Sequence, residues 1–475
     1  MTPREGTMAD LDHTSLLPGA TRELAGFAAG LTFEAIPASV VEHAKLLVLD
    51  GIGVCLYGAA LPWTRMVQDL ALSEGAQGAA SVWGTGKRTS WSLSVLANST
   101  AGHAFEMDDI HRDSVLHPNS LTVPISLGFS EANGGITGRD ALTSIVAGYE
   151  VGTRVGNAAT TQLFLNGFHP QGTSGIFVAG ATAGRLLGLG VDAMQHTLGI
   201  AGSLGAGLMA AQEGAMVKRL HAGHAAQNGV YAALLAQRGF TGILDVVEAP
   251  YGGFLSSLSR QPDLERLTAG LGRQWETLEV GFKMYPSVTS IHAALDALQT
   301  IMRKHGVRAD EIASIQVGVG HMTYVHTAWP YKPAGTTAAQ MNMFYGLATM
   351  ALGGNVSVND FTEARLAKPE LLAFMDRIAV AEDAAINELG REARHACRMA
   401  VTTVSGAVFS EYVVDRRGSP ENPVRPQELE AKFRASVRGI LSEADAEQVM
   451  RLVGELDRLD NCAALTAILA RAGSR

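Results

Sequence analysis

The sequence predicts a mainly α protein, with one large all-α helical domain and a smaller α+β domain. Three observations point there. Of 475 residues, 47% are apolar and 17% charged, which suits two or more domains with substantial cores. Long stretches carry a helical rhythm and are crowded with Ala and Gly, 53 glycines in all, as helices in close contact would require. After Gly281 the texture changes, and alternating segments that read as strands separate the helical ones.

Taken in order, the residues up to about Pro18 look loose, and helical patterning starts near Thr21. It resumes at Ser39, where Val40, Ala44, Leu47 and Val48 share one helix face. SVWGTGKRTS reads as a short extended piece and turn, and WSLSVLANSTAGHAFEMDD as a small-residue helix. Three more helical stretches follow, ending with VDAMQHTLGIAGSLGAGLMAAQ. The one expected at the centre is GFHPQGTSGIFVAGATAGRLLGL, residues 167–189, whose Ala/Gly surface lets neighbours approach closely. Pro170 suits a first helical turn, so His169 is expected at a helix N-terminus, where the dipole keeps an imidazole neutral.

In the second half, Ser314–Gly320, Arg377–Val380 and Cys397–Val404 with Val413 beyond alternate as strands. Gly335–Gly353 and Asp360–Phe374 look helical. PQELEAKFRASVRGIL and EADAEQVMRLVGELDRL return to amphipathic helices. The simplest division is a helical domain over 1–276, an α+β domain over 277–414, and C-terminal helices over 415–475 that rejoin the first.

A net charge of −9 and a pI near 5.9 argue against nucleic-acid or anionic-membrane partners. Cys55, Cys397 and Cys462 lie far apart with no CxxC spacing, which fits a reducing cytoplasm better than a disulfide framework. The polar N-terminal stretch has no apolar secretion segment, and Leu198–Ala211 is too short to span a bilayer.

Three clusters carry chemistry. GHAFEMDDIHRDSVLHPNS gathers Glu106, Asp108, Asp109, His111 and His117 just after a small-residue helix. It offers no HExxH or paired-carboxylate template, so no metal is expected. His117-Pro118 echoes His169-Pro170, a second imidazole on a rigid turn. GAMVKRLHAGHAAQN brings Lys218, Arg219, His221 and His224 within two turns, fixed cations that suit carboxylates in an otherwise acidic chain. Lys218 follows apolar Ala-Met-Val, which implies burial and a pull toward neutrality unless an anion pairs with it. GFKMYPSVTSIH puts Lys283 and Tyr285 before a Pro turn at the domain junction, and Tyr324 lies in a polar aromatic loop, YVHTAWPYK, that would close over the cleft. There is no strand-borne GxGxxG, Walker loop or GxSxG elbow, so no cofactor is expected. Neutral His, Lys and carboxylates around a cationic anion site suit proton abstraction next to a carboxylate, with acid-assisted loss of a leaving group.

Together DGIGVCLYG, GHAFEMDD with its later HP, GFHPQGTSG, MVKRLHAGHAAQNG, YGGFL and FKMYPS…IHAALDA resemble the MmgE/PrpD family, in this order from Asp50 to Ala297. The pairing of GLMAAQEGAMVKR with YGGFL looks most like that family's fungal cis-aconitate decarboxylase branch. The resemblance implies a helical domain with an α+β lid, a cleft between them, a homodimer, and an active site lined by Asp109, His117, His169, Lys218 and Lys283. Departures from the itaconate-forming mammalian decarboxylase are Ile110 for Thr, Val288 for His and Glu106 for Asp. The expectation is a cofactor-independent lyase for a small di- or tricarboxylate, by decarboxylation or by dehydration as in 2-methylcitrate dehydratase. In that scheme His169 and His117 act as base and acid. Asp109 and Lys218 assist, while Lys283, Arg219, Glu106 and Tyr324 hold the substrate. An epimerase of the iminodisuccinate type and a non-catalytic carboxylate sensor are the alternatives.

Overall fold

A computed structural model describes residues 19–390 and 393–473, so the stretch expected to be loose lies outside the described residues. The larger part is a helical assembly, as expected. It begins with α1 (Ala20–Gly30), α2 (Ala38–Ala59) and α3 (Pro62–Ser73). The extended piece and turn form a hairpin, β1 (Ala80–Val82) with β2 (Lys87–Thr89), whose turn uses left-handed Gly84 and Gly86. Then come α4 (Trp91–Gly102), β3 (Ile110–His111), α5 (Asn119–Ala132), α6 (Gly138–Leu165), α7 (Gly175–Leu186), α8 (Val191–Leu204), α9 (Val217–Gln237) and α10 (Phe254–Leu258).

The central position of the 167–189 stretch follows from its side chains. Every residue of α7 from Gly175 to Gly184 is buried, with α5, α6, α8 and α9 around it. Close approach depends on glycine: a Cβ on Gly152 of α6 would stand 2.1 Å from Val178 of α7. One on Gly223 of α9 would stand 2.4 Å from the Leu96 carbonyl oxygen of α4.

Two expected helix limits need correction. The α4 helix stops at Gly102, and residues 103–109 form a loop, because Glu106 adopts a left-handed φ of +53° that no helix continues. The α7 helix begins only at Gly175, so Pro170 sits in a preceding turn and His169 stands outside the reach of a helix terminus.

The smaller α+β part starts from β4 (Val280–Gly281), which pairs antiparallel with β3 and so draws Lys283 to the 103–118 loop. It continues through α11 (His292–His305), β5 (Ile312–Val319), α12 (His321–Thr327), α13 (Thr336–Gln340), α14 (Met343–Gly353), α15 (Glu363–Leu366), α16 (Pro369–Met375), β6 (Ile378–Glu382), α17 (Ala384–Glu388), β7 (Cys397–Thr403) and β8 (Val408–Val413). The sheet order is β6-β5-β7-β8, with β5–β6 parallel and the other pairs antiparallel. Its inner face, Ile315, Val317, Met399 and Val401, packs into a second core beneath α11 and α14.

The chain then returns to the first core. Phe433 of α18 (Pro426–Val437) packs there against α2, followed by α19 (Glu443–Gly454) and α20 (Ala463–Arg471). Lys432 of α18 pairs with Asp50 of α2 at 2.6 Å and donates to the Met107 carbonyl at 2.7 Å. No single helix among the described residues is long and apolar enough to cross a membrane.

Candidate active site

One open hollow lies on the outer face of the sheet, where Arg398 is already paired with Asp383 at 3.0 Å. Buried titratable groups gather elsewhere, in a cleft between the two parts of the molecule. Glu106, His117, His169, Lys218 and Lys283 line it from one side, and Ser290, Met322, His326 and Arg394 from the other.

Glu106 organises the first side. It and Val115 (φ +56°) are non-glycine residues held in the left-handed region, and both line the cleft. Such backbone costs on the order of 1–2 kcal/mol and persists only where surrounding contacts dictate it. Here the contacts are three cations on one carboxylate: Lys218 Nζ, Arg219 Nη1 at 2.6 Å and Lys283 Nζ at 3.0 Å. Burial alone would raise the Glu106 pKa, but Lys218, Lys283 and Arg219 outweigh it and hold the carboxyl well below its usual range. Burial pulls Lys218 down to about 8, partly opposed by Glu106.

Arg219 faces inward rather than into the cleft. Its Nη2 donates to Gln340 Oε1 at 2.9 Å and Thr337 Oγ1 at 3.2 Å, and Gln340 donates on to Phe105 O and Pro286 O. The arginine therefore joins α9 to α13 across the two parts.

Four imidazoles run behind the lysines. His103 lies 5.1 Å from His117 and 5.6 Å from His169, ring to ring, and His169 lies 5.0 Å from His221. His117 Nδ1 is 2.5 Å from the Asp109 carbonyl oxygen, which only accepts, so Nδ1 carries the proton and Nε2 is left bare. Burial holds His117 down at about 3, so the ring is neutral. His103 Nδ1 donates to Asp108 Oδ2 at 2.6 Å, and its buried Nε2 has no partner among the described residues. The His169 and His221 rings share one hydrogen bond between their Nδ1 atoms at 2.8 Å. Burial, then Lys218 and the other imidazoles, holds His169 well below the ordinary value. Gln171 ties the two His-Pro turns together, accepting from His117 N at 2.9 Å and donating to His117 O at 3.0 Å.

The adjacent aspartates differ. Asp108 lies 3.5 Å from Lys283 and 3.6 Å from His117, and although burial opposes it, His117, His103 and Lys283 keep it ionised. Asp109 turns away from the cleft and accepts from Tyr149 Oη at 2.6 Å and Asn119 N at 3.1 Å. Burial, reinforced by the charges of Asp108 and Asp50, pushes its carboxyl well above the usual range. The carboxylate set among the imidazoles is thus Asp108, while the Asp109 side chain braces α5 against α6.

The structure brings His117, His169, Lys218, Lys283 and Glu106 together, and leaves Arg219, Asp109 and Tyr324 off the cleft wall. Tyr324 is 37% exposed on α12, and Met322 and His326, two residues to either side, face the cleft instead. The other singled-out groups are structural: His111 bonds Ser114 and Glu276, Tyr285 donates to Asp296, and His224 contacts Asn228. Sequence reasoning passed over His103, His326 and Arg394. The first lies inside the GHAFEMDD motif and the second inside the YVHTAWPYK loop, whereas Arg394 has no local signal.

Comparison with known proteins gives a consistent result. Residues 22–267 match the MmgE/PrpD N-terminal domain and residues 285–458 the MmgE/PrpD C-terminal domain. A cis-aconitate decarboxylase of Aspergillus terreus is 30% identical over 471 residues, 95% of this chain and 96% of the relative. A cis-aconitate decarboxylase-like protein of Aspergillus oryzae is 29% identical over 95% of this chain and 96% of its own. The cis-aconitate decarboxylase of Homo sapiens is 26% identical over 96% and 95%.

Proposed function

Since the chain belongs to the MmgE/PrpD family, we propose that it is a lyase for a small di- or tricarboxylate, acting by proton transfer next to a bound carboxylate. The observation that carries this is the meeting of Lys218 and Lys283 at Glu106, in a buried cleft that also presents His117 and His169. The names of the decarboxylase relatives favour loss of carbon dioxide over loss of water.

Lys218 and Lys283 hold one carboxylate and stabilise charge that builds on it as the neighbouring carbon loses a proton or a carboxyl group. His117, with a bare Nε2, takes or returns a proton, and His169 does the same from its own turn. Burial keeps both rings poorly basic, and the charge of Lys283 at His117 and of Lys218 at His169 adds to it. An anionic substrate offsets that field, so the bases strengthen only when it is bound. A homodimer, which the family resemblance implies, is part of the same proposal, and sedimentation velocity tests it.

Proton NMR in D₂O with cis-aconitate, citrate, 2-methylcitrate, malate and iminodisuccinate tests the reaction. New olefinic signals with carbon dioxide release are expected, and olefin without it would mark a dehydratase. Deuterium exchange or a stereochemical change alone would replace the lyase with an epimerase. Binding of the acids with neither turnover nor exchange would mark a sensor.

A further inference from the structure

A second cavity lies between the same two parts of the molecule and shares Lys283 with the cleft as a wall. We propose that it binds an amphipathic monocarboxylate, an apolar body with one acid group, and that this occupant tightens the cleft on its own ligand. The tightening, though not the second site, rests on the polycarboxylate reading of the cleft.

The cavity measures about 350 Å³, a volume suited to a small molecule. Its walls are α18 of the larger part, the 355–358 turn of the smaller part, Met107 and residues 283–286. Most of its polar groups are already satisfied. Tyr285 Oη donates to Asp296 at 2.8 Å, Ser357 Oγ to Asp360 at 2.8 Å and Ser436 Oγ to the Lys432 carbonyl at 2.9 Å. Lys432 Nζ is taken by Asp50 and by the Met107 carbonyl. Glu428 accepts from Arg417 Nη2 through one oxygen and from Arg425 through the other.

Arg417 is the exception. Its side chain spends only Nη2 on Glu428, and Nε and Nη1 have no partner among the described residues. Besides that guanidinium, a ligand meets the apolar surface of Met284, Pro286, Val356, Val358, Ala431 and Ala435, while exposed Asn355 adds only a neutral amide. Such a surface gains by covering a hydrocarbon body, and the guanidinium selects a carboxylate over an amine.

The occupant also touches the groups that set up the cleft. Met107 stands between Glu106 and Asp108, and the Lys283 ammonium bonds both of those carboxylates. A body packed against Met107 and the Lys283 stem keeps them from shifting away from the cleft. Less freedom is then lost when an anion binds there, so its affinity rises.

Isothermal titration of the full-length protein with octanoate tests the site, with acetate lacking the body and octylamine reversing the charge. Octanoate should bind one per chain, at least tenfold more tightly than either. Ala435→Trp, at an exposed position of α18, should fill the cavity and abolish binding, and Arg417→Gln should weaken it about tenfold. No octanoate binding, or unchanged binding in these variants, overturns the site, and octylamine binding as tightly overturns the acid. Arg417→Gln decides the matter should Ala435→Trp fail to fold. Tricarballylate, an unreactive tricarboxylate, then reports on the cleft. Saturating octanoate should lower its Kd about fivefold, and tricarballylate should lower that of octanoate by the same factor. An unchanged Kd overturns the tightening alone. A Kd that rises without limit as octanoate is added puts octanoate in the cleft itself and overturns the second site. If tricarballylate does not bind, the tightening and the polycarboxylate reading fall together, and octanoate still decides the cavity.

Discussion

The two walls of the cleft hold similar numbers of polar groups on opposite principles. On the helical wall, Lys218, Arg219 and Lys283 meet Glu106 and Asp108, and nearly every charge has an opposite within bonding distance. On the other wall, Arg394 donates to His395 and to the Arg112 carbonyl, beside His326, whose Nε2 has no partner among the described residues. A self-satisfied network built on α9 and a short loop fixes the field in which a proton moves. The second wall holds His326 Nε2, which a ligand oxygen would satisfy. Under the proposed lyase reading, proton transfer belongs to the first wall.

Lys218→Met breaks the comparison hardest: kcat/KM should fall by about 10²- to 10³-fold, with KM raised and kcat lowered together, and steady-state kinetics read it. Unchanged kinetics would remove Lys218 from the site. Glu106→Gln leaves three buried cations around a neutral amide and should lose about 3–5 kcal/mol of stability, seen as a lowered Tm that added tricarballylate partly restores. The pH profile comes next. Lys218 is charged only below about 8, so kcat/KM should fall roughly tenfold per pH unit above that value, and Lys218→Arg should shift the limb upward.

A further comparison separates the neighbouring aspartates. Asp108→Asn should cost about 100-fold in kcat by freeing His103 and His117, whereas Asp109→Asn should change kcat only a few-fold. Folding raises the Asp109 pKa above the value of the unfolded chain, about 4. Its contribution to stability is therefore complete below that pH and declines as pH rises. Asp109→Asn should flatten the Tm profile between pH 4 and 8, and an unflattened profile would show the carboxyl ionised.

The helical assembly was legible because its packing depends on Ala and Gly surfaces that the sequence displays openly, and Gly152 and Gly223 sit where helices nearly touch. The lysines and the two His-Pro turns were legible for a related reason, being unusual residues in apolar surroundings. Asp108 and Asp109 were indistinguishable because their roles depend on the left-handed turn at Glu106, which propensity does not announce. Tyr324 was preferred to His326 because both lie in one polar run, and only the rotation of α12 decides which faces the cleft. Arg394 is recruited through contacts with Thr323 and Arg112, far away in the chain.

The embrace of α2 by α18 has a consequence for biosynthesis. A ribosome that has reached residue 420 has already made every group in the cleft, yet Lys432, which holds the Met107 carbonyl beside Glu106, has not been joined to the chain. Until it emerges, Asp50 lacks its counter-charge and the α2 surface that receives Phe433 stays uncovered. Nascent chains therefore present an apolar groove to chaperones for most of translation, and a message truncated upstream of α18 yields a product without a working centre.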